Sequence, residues 1–273
     1  MLRIINSKLS VTGFLLIAFF LALIIRLGVI FTIGNIGYPE MYEHGELARN
    51  LLKGNGYSLH WHYGPMSPEK LEIFEEAPKY EGAFLPPLSP YLIYFFFSVF
   101  GDNPTSYMLM MLMHALIGAL TVLIVYRIAE RIGSETEARI SAIVSAVFLP
   151  AVFAVTTYSG SVIFQALSLL VILFAIRAVQ EPFYKNFILL GITIGAQILL
   201  RAEFLALGIV ILILTAFLTW RRFYKYEKKS LLCHSVSSEE SNTLIDKKNR
   251  FFAALRMTGN KLRMTGNKLR MTG

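Results

Sequence analysis

Residues 11–33 read VTGFLLIAFFLALIIRLGVIFTI, a run broken by a single charge, Arg26. A hydrocarbon layer about 30 Å thick is crossed by roughly 20 apolar residues in a helix, so this stretch is long enough to span it. It lacks a small-residue cleavage site and is long for a signal-peptide core, which identifies it as a retained first span. The same pattern returns at Tyr107–Tyr126, Ile140–Thr157, Val162–Val179, Phe187–Leu200 and Phe204–Trp220. Phe187–Leu200 is short, and Tyr184 and Lys185 stand where they can anchor its inner end. Tyr91–Phe100, bounded by Pro86, Pro87, Pro90 and Gly101, is too short to cross unaided. It reads as a re-entrant or interfacial helix, or as one end of a tilted span. The expected fold is an all-α polytopic membrane protein with six to seven transmembrane helices.

Composition agrees. Of 273 residues, 55% are hydrophobic and 16% charged, too little polar surface for a soluble domain of this length. The lone cysteine, Cys233, excludes a disulfide framework and a cysteine-based metal site. A net charge of +8 would suggest nucleic acid only if it were spread over the chain. It is not: from Arg221 onward there are 13 Lys/Arg against 4 Asp/Glu, and before it 13 against 14. No nucleic-acid partner is expected.

Charge also orients the chain. Arg3 and Lys8 precede the first span, and Arg221, Arg222, Lys225, Lys228 and Lys229 follow the last, which puts both ends inside by the positive-inside rule. Arg127, Arg131 and Arg139 also belong inside. All three groups agree if Tyr91–Phe100 does not cross, leaving six crossings. The loop at about 34–90 is then outside. Its Gly34–Pro86 portion holds eight Glu against four Lys/Arg, and its length marks it as functional rather than connecting.

Within that loop, Glu40-Met-Tyr-Glu-His-Gly-Glu-Leu-Ala-Arg-Asn-Leu-Leu52 follows Pro39 and ends at Gly54 and Gly56, the expected helix punctuation. Met41, Leu47, Ala48, Leu51 and Leu52 gather on one side, opposite Glu43, Glu46, Arg49 and Asn50. This is a short amphipathic helix with its apolar face toward lipid or the bundle. Glu40, Glu43 and Glu46, three residues apart beside an emerging span, suit general-base chemistry on a lipid-borne substrate. On spacing alone, a solvated face whose acids favour the helix N-terminus is the plainer reading.

A first span, an acidic short helix, a Gly-x-Gly turn and Phe84-Leu-Pro-Pro-Leu-Ser-Pro-Tyr91 follow in an order that resembles the type C glycosyltransferases. More narrowly, the chain is similar to the protein O-mannosyltransferase and lipid A aminoarabinose transferase group. The resemblance rests on Leu47-Ala48-Arg49-Asn50-Leu51-Leu52, on Pro86-Pro87-Leu88-Ser89-Pro90, on the helix Ala115–Gly133, and on Leu199-Leu-Arg-Ala-Glu-Phe204. It runs over about residues 10–220.

The resemblance implies a hexosyl- or pentosyltransferase using a sugar carried on polyprenyl phosphate. Transfer would be to a lipid, glycan or protein acceptor at the outer or periplasmic face of a bacterial plasma (inner) membrane, in cell-envelope glycan or lipopolysaccharide synthesis. The family's catalytic Asp falls on Glu40, one methylene longer; Glu43 is the alternative base, and Glu46 orients it or binds acceptor. Arg201, at a span's end where a charge must find a partner, is assigned to the lipid phosphate. The family's basic residue at the double proline is replaced here by Leu85 and Pro86, so Arg49 or Lys79 would substitute. No cofactor is implied; a divalent metal has only His60 and His62 to point to it, without a third ligand. Arg26 either reaches the donor phosphate or snorkels to the interface. The Phe95–Phe97 and Met108–Met113 runs are packing or lipid-facing surface.

Residues 1–225 thus form the expected membrane module, and 226–273 a disordered tail. The tail ends in a sevenfold-spaced repeat, Leu255-Arg-Met-Thr-Gly-Asn-Lys261, again at 262–268, then Leu269–Gly273. With a glycine in each unit it is no coiled coil. It resembles a translated intergenic repeat, with a basic arm for anionic headgroups as the other reading. Family members usually continue into further spans and a soluble domain, so the chain reads as a shortened, amino-terminal module. A transporter or flippase, or a non-catalytic scaffold, is the alternative. A transporter should carry two similar halves and charges paired mid-membrane, and the sequence has neither.

Overall fold

The computed structural model describes residues 10–35, 37, 41–60, 79–81, 85–158 and 160–234. The chain divides into two compact units, residues 1–216 and 217–273; the first carries the bundle, and the second is helical up to His234 among its described residues.

The elements are α1 (Val11–Ile33), α2 (Tyr42–Leu52), β1 (Ser58–His60), β2 (Lys79–Glu81), α3 (Leu88–Phe100), α4 (Pro104–Ile132), α5 (Glu135–Val147), α6 (Leu149–Phe153), a 3-10 turn (Ala154–Thr156), α7 (Ser161–Gln180), α8 (Tyr184–Leu200) and α9 (Phe204–His234). The protein is an all-α polytopic membrane protein. Among the described residues, a small antiparallel ribbon pairs Ser58 with Glu81 and His60 with Lys79.

Side chains next to the helices set where they begin. Ser10 caps α1 by accepting from the Gly13 N–H at 3.2 Å. Asn103 caps α4 by accepting from Thr105 and Ser106, with Pro104 in the first turn where no N–H is needed. Ser134 and Glu137 close a capping box on α5. Gly101 ends α3 at φ +83°, a backbone that other residues rarely adopt.

Four helices among the described residues are long and apolar enough to cross a membrane: α1, α4, α7 and Phe204–Tyr224 of α9. A fifth appears if α5 and the segment Leu149–Thr156 count as one span bent by 50°. α3 and α8, at 13 and 17 residues, are apolar but shorter. The expected single span over Ile140–Thr157 is therefore broken, and Pro150 is the physical reason: it interrupts the hydrogen-bond ladder just past Val147.

Two buried clusters tie the bundle together. In one, Ala18 and Ala22 of α1, Ala119 of α4, and Ala138, Ala142 and Ala146 of α5 let three backbones approach closely, flanked by Phe14, Val122 and Tyr126. In the other, Ile30 of α1, Met110, Met111 and Ala115 of α4, Ile93 and Phe97 of α3, and Val155 and Tyr158 meet Met41 and Ala48 from the start and middle of α2. Met41, Leu47 and Ala48 are thus buried where the sequence left lipid and bundle open, whereas Leu52 is exposed and Glu46 and Asn50, expected on the polar side, are buried. Outward, Phe20, Ile24, Leu120, Ile188 and Ile213 leave an apolar surface suited to acyl chains. Arg26 neither snorkels nor reaches the surface: it is wholly buried.

Candidate functional site

α2 is polar on the face turned from the bundle, and its first described carboxylate, Glu43, is exposed. Glu46, one turn on, is 8% exposed, at the edge of the packed face. Glu40 lies outside the described residues. One turn further, Arg49 leaves the helix toward the α3–α4 turn: its Nε donates to an Asp102 carboxylate oxygen at 2.6 Å, and its guanidinium covers the Phe97 ring at 5.6 Å. The Tyr107 hydroxyl donates to the other oxygen of Asp102. Burial alone would lower the Arg49 pKa, but the hydrogen bond and charge of Asp102 raise it above its ordinary value, with Tyr107 adding to the rise. The arginine the sequence offered as a phosphate substitute is thus engaged with a carboxylate that locks α2 onto α3 and α4.

The far end of α2 is tied down separately. Asn50 donates to the Ser58 carbonyl at 2.7 Å, fastening β1 to the helix. Tyr57 donates to the Leu85 carbonyl at 2.8 Å and stacks on Tyr91, rings 5.9 Å apart and within 6° of parallel. Burial and the neighbouring Tyr91 push the Tyr57 hydroxyl up to about 12, so it stays a donor. Lys79 sits in β2 opposite His60; His62 lies outside the described residues. Among the described residues no group of three His, Cys, Asp or Glu is arranged to hold a metal.

The third strand of the site comes from residues far along the chain. Gly160, at φ +69°, lies where an added Cβ would stand 3.2 Å from a Leu200 methyl and 3.3 Å from the Ser89 hydroxyl. The Pro-Pro-Leu-Ser-Pro segment and the end of α8 therefore meet at this glycine. The next residue, Arg201, turns off α8 in extended conformation and lays its guanidinium over Phe164 at 4.8 Å. Arg201 is close enough to His44 on α2 to act on its charge. Burial lowers the His44 pKa, Glu43 beside it pulls the other way, and Arg201 lowers it further. His44 Nδ1 is buried without a hydrogen-bond partner among the described residues.

Glu43, next to His44 on α2, and Arg201, just past the end of α8, are thus both near enough for their charges to act on the His44 imidazole. Three residues escaped the sequence reading. Asp102 lies within, and Tyr107 just after, a Gly-Asp-Asn-Pro turn that looks like ordinary helix capping, and His44 is hidden between two carboxylates that draw the attention. A carboxylate, an imidazole and an accessible guanidinium so placed can accept a proton from a hydroxyl and hold an anionic leaving group.

A family model described as dolichyl-phosphate-mannose-protein mannosyltransferase matches residues 85–236, just over half of the chain. No curated protein and no solved structure matches it.

Proposed function

The chain belongs to the dolichyl-phosphate-mannose-protein mannosyltransferase family, a family of membrane glycosyltransferases, and from that premise we propose that it moves a sugar from a polyprenyl phosphate to an acceptor hydroxyl at the outer face of the membrane. A carboxylate of the first loop, Glu40 or Glu43, takes the proton of the acceptor hydroxyl. The freed oxygen attacks the anomeric carbon as the bond from that carbon to the phosphate oxygen breaks. Polyprenyl phosphate departs with the bonding electrons, and Arg201 receives its charge, with Lys79 as the other basic candidate in the loop. Glu46 contacts the acceptor or orients the base. The donor's isoprenoid lies along the apolar flank of the bundle.

What supports this reading is that the charges of Glu43 and Arg201, more than 150 residues apart in the chain, both act on the His44 imidazole, and that Arg201 lies exposed at the end of α8. A helix face that was only solvated would need no distant cation beside it. Membranes holding wild type, Glu40→Gln, Glu43→Gln or Arg201→Ala are to be assayed for transfer of radiolabelled sugar from a polyprenyl phosphate carrier. The expected result is transfer by wild type, its loss in one carboxylate variant, and a raised donor KM in Arg201→Ala. Full activity in both carboxylate variants removes the base assignment.

A further inference from the structure

We propose that Arg26 is a positioning residue: it stands in for the backbone N–H that Pro150 lacks, and by doing so holds the bend between α5 and α6 that aims the following segment beneath α2.

In an α-helix each carbonyl accepts from the N–H four residues on. Ala146 should accept from residue 150, which is proline and has no N–H to give. The N–H groups of Ala151 and Val152 do not return to the α5 ladder either; both bond the Phe148 carbonyl, at 3.1 and 3.0 Å. An open carbonyl at this depth has no water to turn to, so irregular backbone persists only where protein groups satisfy it. Arg26 does so from another helix: its Nη1 donates to the Ala146 carbonyl at 3.2 Å while also bonding Ala22, one turn back on α1, at 3.1 Å.

The guanidinium is built in rather than accommodated. It is 0% exposed. Gly118 of α4 leaves the notch it occupies: a Cβ there would fall 2.6 Å from Arg26 Nε and 3.1 Å from its Cδ. Thr121 bonds the Gly118 carbonyl at 2.7 Å, which keeps that acceptor occupied on α4 itself. The remaining donors, Nε and Nη2, have no hydrogen-bond partner among the described residues. A buried charge held so incompletely is expensive in a membrane interior, and among the described residues the break in the neighbouring span is the structural need that it meets.

What the bend delivers lies beneath the candidate site. Past it, the Tyr158 hydroxyl donates to the Tyr107 carbonyl of α4 at 3.3 Å. Val155 and Tyr158 share one buried cluster with Met41 and Ala48 of α2. A straightened span would carry these two side chains away and withdraw the support on which α2 rests. This last link depends on the glycosyl-transfer reading; the bend itself does not.

The test uses the full chain in nanodiscs, with Cys233→Ser and spin labels on cysteines replacing Ile143 and Phe153, which are both exposed and flank the break. Arg26→Met removes the donors at similar volume, Pro150→Ala restores the backbone N–H, and the two are also combined. The label distance should lengthen and broaden in Arg26→Met, and melting should fall. In the double variant melting should recover, because the new N–H at position 150 reaches the Ala146 carbonyl, and the label distance should settle at a single longer value. Should Arg26→Met fail to fold while the double variant folds, the proposal is supported; failure of both overturns it. An unchanged label distance in Arg26→Met, or no recovery of melting by Pro150→Ala, also overturns it. None of these readings uses sugar, so they stand apart from the proposed activity. Sugar transfer then reads the positioning link: the double variant, though stable, should lose activity by about a hundredfold, as expected when a reacting group moves by about 1 Å. Wild-type transfer in that variant would break the link between the bend and α2.

Discussion

Arg49 and Arg26 are two arginines of one bundle, met by their surroundings in opposite ways. Arg49 sits at an end of the bundle, with a third of its side chain exposed, and is answered by a carboxylate, a tyrosine and an aromatic face. Arg26 sits among alanines with no exposure and is answered by two backbone carbonyls. The first arrangement is a clamp between elements that water still reaches, so its net worth is modest. The second is a repair of a broken helix where water is absent, so its loss would be felt by the whole fold. Chemistry can afford to sit beside the first and not the second. The end of the bundle that holds Arg49 also has an exposed acid, Glu43, and an exposed cation, Arg201, and the region around Arg26 has only packing.

That division is sharpened most by removing the exposed acid. Glu43→Gln should lower sugar transfer by roughly 10²–10⁴-fold, the usual contribution of a positioned base, while thermal unfolding stays unchanged because the side chain is exposed. A large drop in melting with transfer intact would reverse the roles of the two regions.

The next effect belongs to the alanine-lined region. Gly118→Ala puts a methyl 2.6 Å from Arg26 Nε, and overpacking of this kind costs about 1–3 kcal/mol. Denaturation in mild detergent should show it, and no loss would mean the guanidinium has room to move. A smaller change is expected at the clamp. Asp102→Asn keeps the shape but removes the charge, and for a pair this exposed the cost is about 1 kcal/mol or less. Its signature would be looser protection of α2 amides in hydrogen exchange rather than a shift of global melting.

The same contrast explains what the sequence made legible. α1, α4, α7 and α9 were readable because about 20 apolar residues in a row have one common explanation. The break at Pro150 was not, since hydropathy averages over a window and stays high through Phe148-Leu-Pro-Ala-Val-Phe153. Glu43 could be named because three carboxylates three residues apart stand out on a short loop helix, and Arg201 because a charge at a span's end does. Asp102 could not, because its partner is 53 residues away and nothing local distinguishes it from a capping residue. Arg26 was visible as a charge, yet its role depends on a carbonyl 120 residues on, which only the packing of α1 against α5 reveals. Contacts between elements are the part of the fold that periodicity does not encode.

The smallest effect is also the most specific to the α2 end. The His44 pKa lies below its ordinary value of 6.5, first through burial and then through Arg201, against the pull of Glu43. The fold therefore favours the neutral imidazole. The stability that depends on it is fully present above about pH 6.5 and is lost as the pH falls through the depressed folded value. Melting followed downward from neutral pH should decline in wild type, and the decline should shrink in His44→Gln. The two neighbours then supply a test of opposite sign. Replacing Arg201 by Gln removes a repulsion and should move the His44 midpoint up, whereas Glu43→Gln removes an attraction and should move it down. Histidine-resolved NMR in nanodiscs can follow both. Movement in the same direction, or none, would mean that the two charges do not share a site with this imidazole.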